Sequence, residues 1–234
     1  MKIKQLLFLF IGFWVLPFAH SQTTAASDTL SKPKGWELGV DLLGIFGKNH
    51  VPTTSLFARY NFATKTNQYW GGRLRVGMSR DEQYFVSNFS IIDSNYQYNY
   101  YGSLGLERQF IVNEKIRCFI FLDGFYEKQF DYRYYGNVIV EPIVDTLLVN
   151  SRHNNTTTYG LNLGGGLQYQ INKHFAFSIE TVLTGFKSFV HSYGERLPFF
   201  KPGIELRDSR DFTDEFSTLF FKPLYTFQII YKFK

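Results

Sequence analysis

The segment YGLNLGGGLQY, residues 159–169, decides the fold. Tyr159, Leu161, Leu163, Leu167 and Tyr169 fall on one side of a two-residue repeat. Gly160, Asn162, Gly164, Gly166 and Gln168 fall on the other. That period marks a strand with one apolar and one polar face. Two details set it apart from a strand of a soluble sheet. Its aromatic residues stand at the ends with aliphatic ones between them, and its polar face is largely glycine. Glycine weakens an exposed strand but is useful where bulky neighbours crowd the space. Gly164-Gly165-Gly166 precedes no helical pattern, so it is not a phosphate-binding loop.

The same alternation recurs along the chain. Trp36, Leu38, Val40 and Leu42 oppose Glu37, Gly39 and Asp41; Leu56, Ala58, Tyr60 and Phe62 oppose Phe57, Arg59 and Asn61. Trp70, Leu74, Val76 and Met78 oppose Gly71, Arg73, Arg75 and Gly77. Tyr98, Tyr100, Leu104 and Leu106 oppose Asn99, Ser103, Gly105 and Glu107. Cys118, Ile120, Leu122 and Tyr126 oppose Asp123 and Glu127, with Phe119, Phe121 and Phe125 blurring that polar face. Phe175, Phe177, Ile179 and Leu183 oppose Ser178, Glu180 and Thr184. Last come Tyr225, Phe227, Ile229, Tyr231 and Phe233, opposite Thr226, Gln228 and Lys232. The periodicity counts eight strands, with ten as the alternative.

The connections point the same way. Segments 63–68, 111–115 and 172–174 are short, whereas 47–54, 80–95, 131–157 and 187–217 are longer, and the two kinds alternate. Transmembrane barrels have short periplasmic turns and longer outer loops, with an even number of strands. The expected fold is all-β: an antiparallel up-and-down transmembrane barrel over residues 36–234.

The chain starts with the basic Met1-Lys2-Ile3-Lys4, an apolar run from Leu6 to Phe18, and Ala19-His20-Ser21. This order predicts a secretory signal peptide, residues 1–21, cleaved near Ser21. A helix needs roughly 20 apolar residues to span a bilayer, and the run is shorter. Residues 22–35 are polar and read as a flexible periplasmic lead. Losing Lys2 and Lys4 takes the formal charge from +5 to +3, too weak and dispersed for nucleic acid. The single cysteine, Cys118, precludes an internal disulfide.

Two features favour membrane over a soluble barrel. The glycine-rich polar face suits the narrow interior of a small barrel, which side chains just fill. On the apolar face, Trp36, Tyr60, Phe62, Trp70, Phe110, Tyr169, Phe175, Tyr231 and Phe233 gather towards the short turns. Such sorting suits a membrane interface, where a ring is apolar on one side and wet on the other. The expected location is the outer membrane of a Gram-negative bacterium, with outer-membrane lipid as the immediate partner.

In architecture, residues 36–234 resemble the superfamily of small eight-stranded outer-membrane barrels that includes outer membrane proteins A, X and W. The most specific element is the final strand, with Tyr225, Phe227, Ile229, Tyr231 and Phe233 at alternate positions. It is similar to the C-terminal signal that barrel-assembly machinery reads in that family, although Lys234 follows the last aromatic residue here. The resemblance implies that machinery as a partner. It fixes no function, since members of the family differ in what they do.

Parity places Glu37, Asp41, Arg59, Arg73, Arg75, Glu107, Asp123, Glu127 and Glu180 inside the barrel. Buried charges of both signs must pair, so a salt-bridged plug is the expectation and a charged channel the alternative. His191-Ser192 with Glu195 invites comparison with the lipid-modifying enzymes of the superfamily. Adjacent residues of an extended chain face opposite ways, however, and the spacing departs from the His-x-Ser of outer-membrane deacylases. No catalytic residue is assigned. His50, His153 and His174 stand apart, so neither a metal nor a cofactor is expected. Asp28-Thr29-Leu30 and Asp145-Thr146-Leu147 resemble an O-glycosylation sequon. Residues 138–144 and 197–202 are more apolar than solvated loops require, suiting them to extend the strands or to bind a partner. The expected role is non-enzymatic, in envelope structure or in binding through the outer loops. A lipid-modifying enzyme, a small channel or transporter, and a subunit of a secretion machine are the alternatives.

Overall fold

The computed structural model describes residues 34–43, 54–63, 69–86, 92–141, 144–199 and 208–233. The expected signal peptide, almost all of the polar lead, His50 and the first sequon lie outside them. Eight strands follow in order: β1 (Gly35–Asp41), β2 (Thr54–Ala63), β3 (Tyr69–Val86), β4 (Ile92–Ile111), β5 (Ile116–Glu141), β6 (Val144–Gln170), β7 (Phe175–Phe199) and β8 (Asp208–Lys232). Each pairs antiparallel with the next, and β8 returns to β1, closing a barrel.

Burial is inverted relative to a water-soluble protein. Leu104, Leu161 and Leu56 are 70%, 59% and 56% exposed on the outer wall, while Arg59 and Glu107 are 0% and 1% exposed inside. Water would not stabilise so continuous an apolar belt, whereas lipid does. Trp36 packs on Tyr60 and Tyr231 on Phe233 at the short-turn end. Tyr100, Tyr126 and Tyr159 form a second exposed aromatic level further up the wall.

The strands are longer than their alternation suggests. β5 and β6 have 26 and 27 residues. At about 3.3 Å per residue and a tilt near 45°, such strands rise roughly 60 Å, against an apolar band about 25 Å tall. This corrects the reading of 80–95, 131–157 and 187–217 as loops: most of each is strand, paired far past the bilayer. Above the lipid both faces of a strand meet water, so the sequence need not alternate there. Residues 63–68 and 47–54 are described only at Ala63 and Thr54.

β8 shifts its register once, by two residues. Glu180 pairs with Thr226, yet Val182 pairs with Lys222, so β8 carries extra residues at Pro223-Leu224-Tyr225. A bulge of this kind absorbs a proline that cannot donate to the ladder. It also turns Tyr225 inward, where it is 3% exposed. The expected outward stripe is therefore corrected at its first member: Phe227, Ile229, Tyr231 and Phe233 lie on the wall side, and Tyr225 belongs to the core. At the start of β1, Gly35 has φ of 92°, a left-handed conformation that a side chain would strain.

Candidate functional site

The lower half of the barrel is filled by one ion-pair network. Its carboxylates come from β1, β4, β5 and β7 (Glu37, Glu107, Asp123, Glu180), its guanidiniums from β2, β3 and β5 (Arg59, Arg73, Arg75, Arg117). Arg59 binds Glu37 through Nε and Nη2, and reaches Glu107 at 2.6 Å through Nη1. Arg73 spans three acids: Glu107 at 3.2 Å, Glu180 at 3.0 Å and Asp123 at 3.2 Å. The contact with Asp123 joins Nε to Oδ1 as an ion pair outside hydrogen-bond geometry. Arg75 holds the other oxygen of Glu180 at 2.8 Å, and Arg117 donates to Glu37 at 2.8 Å. Four acids face four arginines, so these eight buried charges balance; Lys232, partly exposed at the short-turn end, approaches Glu37 at 3.9 Å. Low-dielectric burial makes that balance necessary.

Aromatic rings occupy the space between the charges. The Arg73 guanidinium lies 3.6 Å from the centre of the Phe121 ring, and Arg59 lies 5.5 Å from Phe119. Arg75 leaves Nε and Nη1 without hydrogen bonds, but its guanidinium sits 5.0 Å from the Tyr225 ring and 5.5 Å from Phe57. Facing a ring partly compensates a cation for lost water. Glycines make room for these rings. A Cβ on Gly164 would run into the Phe121 ring and the Thr181 carbonyl, and one on Gly166 into Phe119.

Of the nine charges expected inside, seven enter the network. Asp41 is buried but apart from it, with its Oδ1 accepting from the backbone amides of Leu43 and Phe227. Glu127 stands higher and accepts from Asn99 Nδ2 at 2.5 Å. Both were expected in the charge cluster, and both accept hydrogen bonds from neutral donors instead. Arg117 escaped the sequence reading, as did Gln109, which bridges it to Asn61. The signal was present: Arg117 has the same parity as Phe119, Phe121 and Asp123, but the apolar run around it masks the polar face.

Above the network, the Tyr101 and Tyr225 hydroxyls meet at 2.8 Å, and Asn162 Nδ2 donates to Tyr101 at 3.3 Å. These residues floor a cavity of about 360 Å³ on the side away from the short turns. Its β7–β8 wall carries Phe186, Phe216 and Phe220, with Phe186 edge-on to the other two at 6.1 and 5.7 Å. Its β4–β6 wall carries Asn99, Glu127, Gln129, Thr156 and Thr158. Lys222 lies at the foot of the aromatic wall, 4.9 Å from the Phe220 ring and 5.7 Å from that of Tyr225.

Residues 11–205 match the family model described as the outer membrane protein beta-barrel domain. The chain belongs to this outer-membrane β-barrel family. The chain matches no curated protein and no solved structure. Membership places this barrel in the outer membrane and accords with its apolar wall. It also gives the ladder a direction, because short turns in such barrels face the periplasm. The ion-pair plug thus fills the periplasmic half of the lumen, and the cavity above it opens outward.

In this outer-membrane barrel His191 and Ser192 do not meet. His191 is exposed and pairs with Asp211 at 3.2 Å, whereas Ser192 is buried inside and donates to Asn154 at 2.8 Å. His153 is ringed by Tyr132, Tyr134 and Tyr193. His174 lies on Tyr231 at the periplasmic end. Among the described residues no group of His, Cys, Asp or Glu has the arrangement of a metal site.

Proposed function

We propose that this protein is a closed, non-conducting outer-membrane barrel that acts without catalysis, in envelope structure or in binding through its extracellular end. The observation that carries this reading is the balanced plug. Four acids and four arginines, nearly all out of contact with water, cross the lumen at the level of the bilayer. Conduction would require breaking several buried pairs at once, each costing about 3–5 kcal/mol. The strands rising past the lipid support a role outside the cell, since a structural anchor alone does not need walls of that height. The separation of His191 from Ser192 supports a non-enzymatic role, because a nucleophile needs its base within hydrogen-bond reach. Export by a signal peptide cleaved near Ser21 and insertion by barrel-assembly machinery complete the proposal.

Planar-bilayer recording tests closure: no steady current of porin size is expected from the refolded protein. Binding is tested by shortening the β5–β6 hairpin, joining Asp131 directly to its partner Asn154. The shortened barrel should still fold but should not restore the envelope phenotype of a strain lacking the gene. Full restoration would overturn the extracellular role.

A further inference from the structure

We infer that the cavity above the plug is a binding site for a neutral sugar unit, of mono- to disaccharide size. The inference rests on the reading of the extracellular end as a binding surface and gives that surface its ligand class. At about 360 Å³ the cavity lies within the range of small-ligand sites. Rings and polar groups both line it, with the rings gathered on one side. Phe186, Phe216 and Phe220 cluster on β7 and β8, where Thr184 and Ser188 flank Phe186. Asn99, Glu127, Gln129, Thr156 and Thr158 stand across the lumen on β4, β5 and β6 beside Phe125. A pyranose is divided in the same way. Its C–H face is apolar and carries partial positive charge suited to the negative face of a ring, and its hydroxyls both donate and accept.

Three observations narrow the class. Asn99 Oδ1 is buried without a hydrogen-bond partner, although Asn99 Nδ2 is held by Glu127. It is therefore an acceptor fixed in place and waiting for a donor such as a hydroxyl. The cavity carries one acid, Glu127, and one base, Lys222, so it offers no net charge to a phosphate or a carboxylate. An acyl chain would leave the whole polar wall desolvated and unpaired, which burial penalises. A neutral polyhydroxyl ligand satisfies both walls.

The test uses the full-length mature protein refolded in an amine-oxide detergent, since a maltoside would bring its own sugar. Maltose, cellobiose and diacetylchitobiose are offered in saturation-transfer NMR and calorimetry, with dodecanoate as the acyl probe. At least one disaccharide should receive saturation at its C–H protons, with Kd in roughly the millimolar range or tighter. Asn99→Ala and Phe220→Ala should each weaken it about tenfold or more. Leu219→Ala, on the exposed outer wall, should leave it unchanged. Heat-modifiable migration checks that each variant is folded; Phe216→Ala, half exposed at the rim, replaces either that is not. Absence of transfer to all three disaccharides, equal binding by wild type and cavity variants, or preference for dodecanoate would each overturn the assignment. If the sugars fail while the shortened hairpin still abolishes the cellular function, the ligand class is wrong and extracellular binding stands. If the shortened barrel restores function fully, the underlying reading has failed as well.

Discussion

Replacing Arg73 with Ala tests whether the plug holds the barrel together. Arg73 is 2% exposed and faces Glu107, Asp123 and Glu180. The three acids do not suffer equally. Glu107 keeps Arg59 at 2.6 Å and Gln109 at 2.6 Å, and Glu180 keeps Arg75 at 2.8 Å. Asp123 retains no other ion-pair partner among the described residues. Leaving one buried charge unpaired costs about 3–5 kcal/mol, and the loss of the guanidinium over Phe121 adds roughly 1–2 kcal/mol. Water entering the vacated space would offset part of that, so a net loss of about 3–5 kcal/mol is expected. If Asp123 is the main victim, Asp123→Asn in the Arg73→Ala background should recover about 1–3 kcal/mol. Urea unfolding in lipid vesicles reads this out, because Trp36 on the lipid-facing wall reports the transfer to water by its fluorescence. A loss under about 1 kcal/mol for Arg73→Ala, or strict additivity of the two changes, would refute the argument.

Leu163→Arg places a charge on the lipid face near the bilayer midplane and should cost about 2–4 kcal/mol in the same vesicle assay. With Cys118 replaced by Ala, a cysteine at Leu163 should react with a lipid-soluble maleimide and one at Gln168, on the inner face, should not; equal reaction would refute the facing of β6. Gly164→Ala should destabilise by about 1–3 kcal/mol because its Cβ meets the Phe121 ring. Gly102→Ala has nothing within 4 Å and should be neutral, so similar losses at both positions would remove crowding as the cause. The folded barrel should fractionate with outer membranes and migrate differently on gels before and after boiling; identical migration would count against a closed barrel.

The strands of the lower barrel were legible because lipid on one side and a packed lumen on the other enforce alternation. Leu161, Asn162 and Leu163 could hardly be arranged otherwise. Legibility ended where one of those two environments ended. Residues 150–157 form part of a long strand, yet their sequence NSRHNNTT reads as loop because water lies on both faces. The inward arginines and acids of the network were found by counting in twos, and Arg117 was lost where Phe119 and Phe121 put aromatic rings on the polar side. Tyr225 was misplaced because counting in twos assumes a ladder without bulges. Pro223 is the residue that could have given warning, since a proline within a strand marks an edge or a bulge. The cavity was not legible at all: its walls come from β4 to β8, and only closure brings Asn99 within reach of Phe220.

The joints between strands differ greatly in length. β5 and β6 are registered from Ile116–Tyr169 to Glu141–Val144, whereas β1 and β8 are registered only from Glu37–Lys232 to Asp41–Gln228. Every other joint is a hairpin between neighbours in the chain; this one unites the two ends of the domain. Loop-closure entropy makes such a contact late to form, and so few rungs make it the first to part. In lipid, however, a parted joint exposes two rows of unbonded amides and carbonyls, each group costing several kcal/mol. A half-closed cylinder therefore has no stable place within the bilayer. Insertion and closure must occur together, with the long hairpins already zipped and the short joint formed as the wall meets the lipid. Spontaneous refolding should accordingly be limited by that last step, and covalent stapling of Val40 to Ile229 should slow unfolding far more than a staple across β5 and β6.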